Sequence, residues 1–243
     1  MKRTVAALAL VIGMLPAPVV SQSSIISQIA GDKVAVEKLF FSLKFGLNVA
    51  YLTGAGAVAE RTGGFNVGIS ATIRLTDRLS LVPEITPFSR KGISNIPFGT
   101  TGDPALDAAF ADPASSELAL EYIDIPVLAK YRLGRFHLGA GPFMSFLSGA
   151  TARFRADLAS GQELRYTRDV SDRYKNTDYG LVVEASWTIT KPRRGMGLIF
   201  HLRYQQGLAD VFREYSGPLD SFLPPGPVRN SVIQAYLSFP FVH

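Results

Sequence analysis

The feature that most constrains this chain is a two-residue alternation of apolar and polar side chains that recurs eight times. In "SLKFGLNVAYLT" (42–53), Leu43, Phe45, Leu47, Val49 and Tyr51 share one parity, while Ser42, Lys44, Gly46, Asn48 and Ala50 share the other. Successive side chains of a strand point to opposite faces, so such a segment has one greasy face and one polar face. The pattern returns in "GGFNVGISATIRLT" (63–76), from Leu79 to Thr86, and in "LEYIDIPVLAKYRL" (120–133). It continues in "FHLGAGPFMSFL" (136–147), "DYGLVVEASWTIT" (178–190), "GLIFHLRYQQ" (197–206) and "SVIQAYLSFPF" (231–241).

The connections alternate as well. Those near 77–78, 134–135 and 191–195 are tight, whereas 54–62, 91–116, 150–177 and 209–229 are long. Strict alternation sends every long connection to one end. The expected fold is therefore all-β: an eight-stranded antiparallel up-and-down transmembrane β-barrel with short periplasmic turns and long extracellular loops. Pro83, Pro87, Pro126 and Pro142 fall inside the strands, where each removes a ladder donor, and bulges or strand ends are expected there. Val82, Phe88 and Leu128 break the parity.

Parity alone leaves open whether the greasy face meets lipid or fills a soluble barrel. The polar parity decides. A face in water carries charges at about a quarter to a third of positions. Here it is mostly Gly, Ser, Ala, Asn and Thr, which suit the crowded inside of a small barrel. The greasy face carries Tyr51, Phe65, Phe136, Phe146, Tyr179 and Phe241 near strand ends, as the aromatic belts of a membrane barrel do. Closure is required too, because hydrocarbon cannot satisfy an open sheet edge.

"MKRTVAALALVIGMLPAPVVSQS" joins a basic start to an apolar run from Val5 to Leu15 and then small residues, the layout of a secretory signal peptide. The expected division is a signal peptide over 1–21, a periplasmic segment over 22–38 (short helix or linker) and the barrel over 39–243. Losing Lys2 and Arg3 lowers the net charge from +5 to about +3, too small a balance to imply nucleic acid. With no cysteine there is no disulfide, thiolate nucleophile or Cys-based metal site. The expected location is the outer membrane of a Gram-negative-type cell.

"YIDIPVLAKYRL" at 122–133, followed by "LGAGPF" at 138–143, resembles the outer-membrane β-barrel domain proteins called porin-family or PorT-like. Their pattern is a Tyr-x-x-Ile-Pro-x-x-x-Lys-Tyr strand, a Gly-x-Gly-Pro strand and an aromatic last strand. The likeness covers roughly 39–241, and the architecture is similar to the OmpA and OmpX type of small barrel. It implies insertion by the barrel-assembly machinery. Such proteins usually end in an aromatic, whereas here Val242 and His243 follow Phe241.

The polar parity places Lys44, Arg74, Glu84, Asp124, Lys130, Glu184, His201 and Arg203 inside, where ionised groups must pair or bear a large desolvation cost. Glu184 and His201 fall on adjacent strands at similar height, a pair that supports general-base chemistry only beside a nucleophile, and no serine has a telling spacing. His137 belongs at the turn-end rim. No cofactor, metal or enzymatic step is expected. The 150–177 connection, with Arg153, Arg155, Arg165, Arg168, Arg173 and Lys175, offers positive charge to lipopolysaccharide. The expected role is a monomeric barrel with a side-chain-filled lumen and a structural or surface-interaction function. The alternatives are a small-solute channel and, less favoured, a lipid-modifying barrel enzyme.

Overall fold

The computed structural model describes residues 39–54, 60–96, 104–110, 116–157, 163–190, 195–213 and 227–242. The signal peptide, the 22–38 segment and most of the tight turn near 191–195 lie outside these. The strands are β1 (Leu39–Thr53), β2 (Glu60–Arg74), β3 (Leu79–Ser94), β4 (Ser116–Leu133), β5 (Phe136–Asp157), β6 (Glu163–Asp169), β7 (Thr177–Thr190), β8 (Gly195–Met196), β9 (Leu198–Gly207) and β10 (Arg229–Val242). One short helix, α1 (Pro104–Ala109), lies in the β3–β4 connection.

β1, β2, β3, β4, β5, β7, β9 and β10 pair in that order, all antiparallel, and β1 pairs back onto β10 to close an eight-stranded barrel. The closing seam runs unbroken from Phe41↔Phe241 to Thr53↔Arg229. β6 pairs only with the loop-end half of β5, from Thr151↔Asp169 to Asp157↔Glu163, and forms a hairpin arm beside the barrel. Among the described residues no helix is long and apolar enough to cross a membrane; strands do the crossing.

Turn chemistry fits the tight ends. Gly134 takes φ +67°, the left-handed conformation that a two-residue hairpin needs and glycine supplies without strain. At the β2–β3 turn the Thr76 hydroxyl accepts from the Leu79 N–H at 2.9 Å.

Of the four prolines expected to disturb the strands, only Pro87 sits at a bulge. Pro83↔Val127, Pro126↔Phe143 and Pro142↔Leu181 pair in register, each losing one donor without shifting the ladder. Around Pro87 the register slips against both neighbours, between Val67 and Ile69 on β2 and between Thr86 and Ser89 on β3. A one-residue slip reverses which face each side chain takes. Val82, Glu84 and Thr86 therefore point inward before the bulge, and Ser89, Lys91 and Ile93 after it. Phe88 faces outward at 64% exposure, which resolves its break in parity. Val82 and Leu128 are different: both are interior apolar residues. A further slip between Glu121 and Tyr122 resets β4 against β5.

Beyond the slips the polarity of the wall turns inside out. The strands continue through Lys91–Ser94 and Ala150–Asp157, where connections were expected, and β4 starts at Ser116, ahead of its expected start at Leu120. On β5, Phe136, Leu138, Met144 and Phe146 are exposed, and the polar parity faces inward. Past them Ala150, Ala152, Phe154 and Ala156 are buried, while Arg153 and Arg155 face out. The exposed apolar stretch from Phe136 to Phe146 covers roughly 25 Å of height at about 3.3 Å per residue and the usual barrel tilt, the thickness of a membrane barrel's apolar band. The rest projects beyond it and packs an apolar core of Leu118, Leu120, Tyr122, Phe154, Phe110 and Val211.

Candidate functional site: the filled lumen

From the turn end upward, the lumen holds an open vestibule, a charged girdle, a small apolar layer, a second charged cluster and the apolar plug. The vestibule has a volume of about 280 Å³ and is lined by hydroxyls such as Ser42, Ser70, Ser186 and Ser238, with Lys130 and His201 at its inner end.

The girdle is assembled from β1, β3, β4, β7, β9 and β10. Arg203 reaches Glu84 Oε2 at 2.7 Å and Glu184 Oε2 at 2.5 Å. Lys44 Nζ lies 2.5 Å from Glu84 Oε2, and Lys130 Nζ lies 2.7 Å from Glu184 Oε1. His201 Nδ1 contacts Glu184 Oε1 at 2.8 Å, and its ring stacks on Tyr236 with centroids 4.4 Å apart. The Tyr236 hydroxyl donates to Glu184 and accepts from Arg203 at 2.6 Å. Two carboxylates thus hold three cations. Each charge has been taken out of water at a cost of several kcal/mol that only this dense pairing offsets.

Leu128, Phe143 and Val182 form the apolar layer above it. The second cluster centres on Lys91, whose ammonium is 3.1 Å from Asp124 Oδ1 and 3.8 Å from Asp178 Oδ2. Asp124 also accepts from Ser89 at 2.7 Å and Ser145 at 2.5 Å, while Asn230 donates to Asp178 at 2.9 Å. Among the described residues, four interior cations (Lys44, Lys91, Lys130, Arg203) face four interior anions (Glu84, Asp124, Asp178, Glu184).

Among the interior residues read from parity, Lys44, Glu84, Lys130, Glu184, His201 and Arg203 meet in the girdle, and Asp124 sits in the cluster above. Arg74 does not join them. It ends β2, where the wall opens to the vestibule mouth, and its exposed guanidinium lies 5.4 Å from the Phe40 ring. Sequence reasoning missed Lys91, hidden by the parity flip at Pro87, together with Asp178, Tyr236 and Ser238. The last three share the inward parity of their strands and were legible from it. His137 lines the vestibule.

Phe136 and Phe241 lie at the turn end of the outer wall, where Phe136 stacks on Trp187 at 5.6 Å. Tyr51, Phe65 and Tyr179 lie toward the loop end of their strands, and Phe146 lies halfway along β5, opposite Thr177 at the start of β7. In the hairpin arm, Arg155 pairs with Glu163 at 3.7 Å and Arg165 pairs with it at 2.7 Å. Arg153 faces Glu117 at 3.6 Å.

Solved structures similar to the chain include Neisserial surface protein A (15% identity, covering 82% of this chain and 95% of that one, TM-score 0.39). OprG from Pseudomonas aeruginosa is 12% identical over 84% of this chain and 95% of that one, with TM-score 0.43. Ail of Yersinia pestis is 10% identical over 84% and 99%, with TM-score 0.38. No curated protein matches. The family described as outer membrane protein beta-barrel domain matches residues 26–213, and with most of the chain covered, this protein belongs to that family of outer-membrane barrels.

Proposed function

We propose that this barrel works at its loop-end face as a structural or surface-interacting protein rather than as an open pore. The observation that supports this most is the layered lumen, in which the girdle, the Leu128–Phe143–Val182 layer, the Lys91 cluster and the apolar plug succeed one another. Narrow eight-stranded barrels are filled by their side chains. The projecting wall and its arm give a rigid platform above the lipid, on which Arg153, Arg155 and Arg165 face outward. Those cations suit the sugar–phosphate surface of lipopolysaccharide, their partner in this reading.

In the same reading the first 21 residues are a cleaved export signal, the 22–38 segment stays in the periplasm, the barrel-assembly machinery inserts the barrel, and the chain acts as a monomer. Single-channel recording in planar bilayers tests the central claim. Purified, heat-modifiable protein is expected to give no stable conductance steps. Reproducible steps that survive repurification would overturn it in favour of passive small-solute passage, the second reading, which the open vestibule reaching the girdle favours.

A further inference from the structure

His201 bridges two partners in a defined order. Its Nδ1 contacts Glu184 Oε1 at 2.8 Å, and its Nε2 contacts Ser238 Oγ at 2.7 Å. Glu184 also receives Arg203 and Lys130, so it stands as a carboxylate that can only accept. The hydrogen between Glu184 and His201 therefore belongs to Nδ1. This leaves the Nε2 lone pair to accept from Ser238, whose hydroxyl donates. That is the tautomer and the order of contacts that activate a serine by general base. Stacking on Tyr236, with an interplanar angle of 7°, holds the imidazole in this plane. Ser238 and His201 both line the vestibule, so the arrangement opens to the turn end.

We propose that Ser238 is an activated nucleophile and that the turn-end vestibule is an acyl-transfer site for small esters. This goes beyond the surface role above and is independent of it. It also departs from the sequence expectation of no enzymatic step, since Ser238 lies on another strand and 37 positions from His201. In the step, the Ser238 proton passes to His201 Nε2 as Oγ bonds to the ester carbonyl carbon. The ester C–O bond then breaks and the leaving alkoxide takes the proton from Nε2. Water, deprotonated by the same nitrogen, releases the acid and restores the hydroxyl. Backbone N–H groups in a barrel wall are engaged in the ladder, so the developing oxyanion needs a side-chain cation. Lys130 lines the same vestibule, and an ester that bears a negative group suits its charge.

The test uses the full-length barrel in detergent, shown folded by heat modifiability, and a small alkyl fluorophosphonate. Attack by Ser238 forms an O–P bond and expels fluoride, and peptide mass spectrometry reads the adduct. Labelling is expected at Ser238, lost in Ser238→Ala and slowed about 10²–10⁴-fold in His201→Gln. Glu184 is a positioning residue. Glu184→Gln is expected to slow labelling in a barrel that keeps its heat modifiability, and Glu184→Asp is expected to restore part of the rate. A folded barrel with no adduct at Ser238, or with an adduct formed equally fast in folded His201→Gln, overturns the proposal.

Discussion

Arg203 and Glu184 are direct cross-strand partners on β9 and β7, and both Nε and Nη2 of the guanidinium reach the same carboxylate oxygen, at 2.9 and 2.5 Å. The guanidinium also reaches Glu84 from the far wall, so one side chain ties β3, β7 and β10 across the lumen. Arg203→Met leaves two buried carboxylates short of their shared cation. Unfolding in urea, followed by the gel mobility of the unboiled protein, should show a loss of about 3–5 kcal/mol.

The Lys91 cluster makes a contrasting prediction, because there one ammonium serves two acids. Asp124 is the closer and accepts two serine hydroxyls, while Asp178 lies farther away and keeps an amide donor in Asn230. Asp124→Asn is expected to lower the thermal midpoint clearly. Asp178→Asn removes one of two like charges and is expected to leave the midpoint unchanged or raise it.

Two glycines separate crowding from conformation. A Cβ on Gly46 would stand 2.2 Å from Tyr236 Cβ and 2.5 Å from the Ala235 carbonyl oxygen, neither of which can swing away. Gly46→Ala should cost about 1–3 kcal/mol or block assembly, read as loss of the fast-migrating band. Gly134 has open space and only its left-handed φ to protect, so Gly134→Ala should cost roughly 1–2 kcal/mol and still assemble.

At the loop end, Asp169 closes a turn by accepting from the Ser171 N–H at 2.8 Å. The Ser171 hydroxyl first, and its N–H second, hold the Asp169 carboxyl below its usual range. The contact is therefore complete above the ordinary aspartate value of about 3.9 and fades as pH falls through the lower folded value. The Ser171 amide resonance in lipid should titrate in that acid window, and Asp169→Asn should abolish the titration.

Much of this was legible in the chain because alternation is a local signal. Leu43 through Tyr51 declared a strand and its two faces, and Lys44, Glu84, Glu184 and Arg203 followed from the same parity. What escaped depended on register. The bulge at Pro87 moved Lys91 from an apparent loop to the centre of the lumen, and strand pairing alone put Ser238 beside His201. Arg74 shares the inward parity but sits where the wall opens, and parity says nothing about distance along the barrel axis.

The reversal of wall polarity above Phe146 acts as a depth gauge. Raising the barrel by two residues would lift Phe146 and Tyr179 out of hydrocarbon, and sinking it would carry Arg153 and Arg155 toward it, at about 2–4 kcal/mol for each cation reaching the midplane. The barrel's height in the bilayer is thus written into the wall itself. A bilayer thinned or thickened by a few ångströms must deform to meet this barrel, because the barrel cannot shift to meet the bilayer.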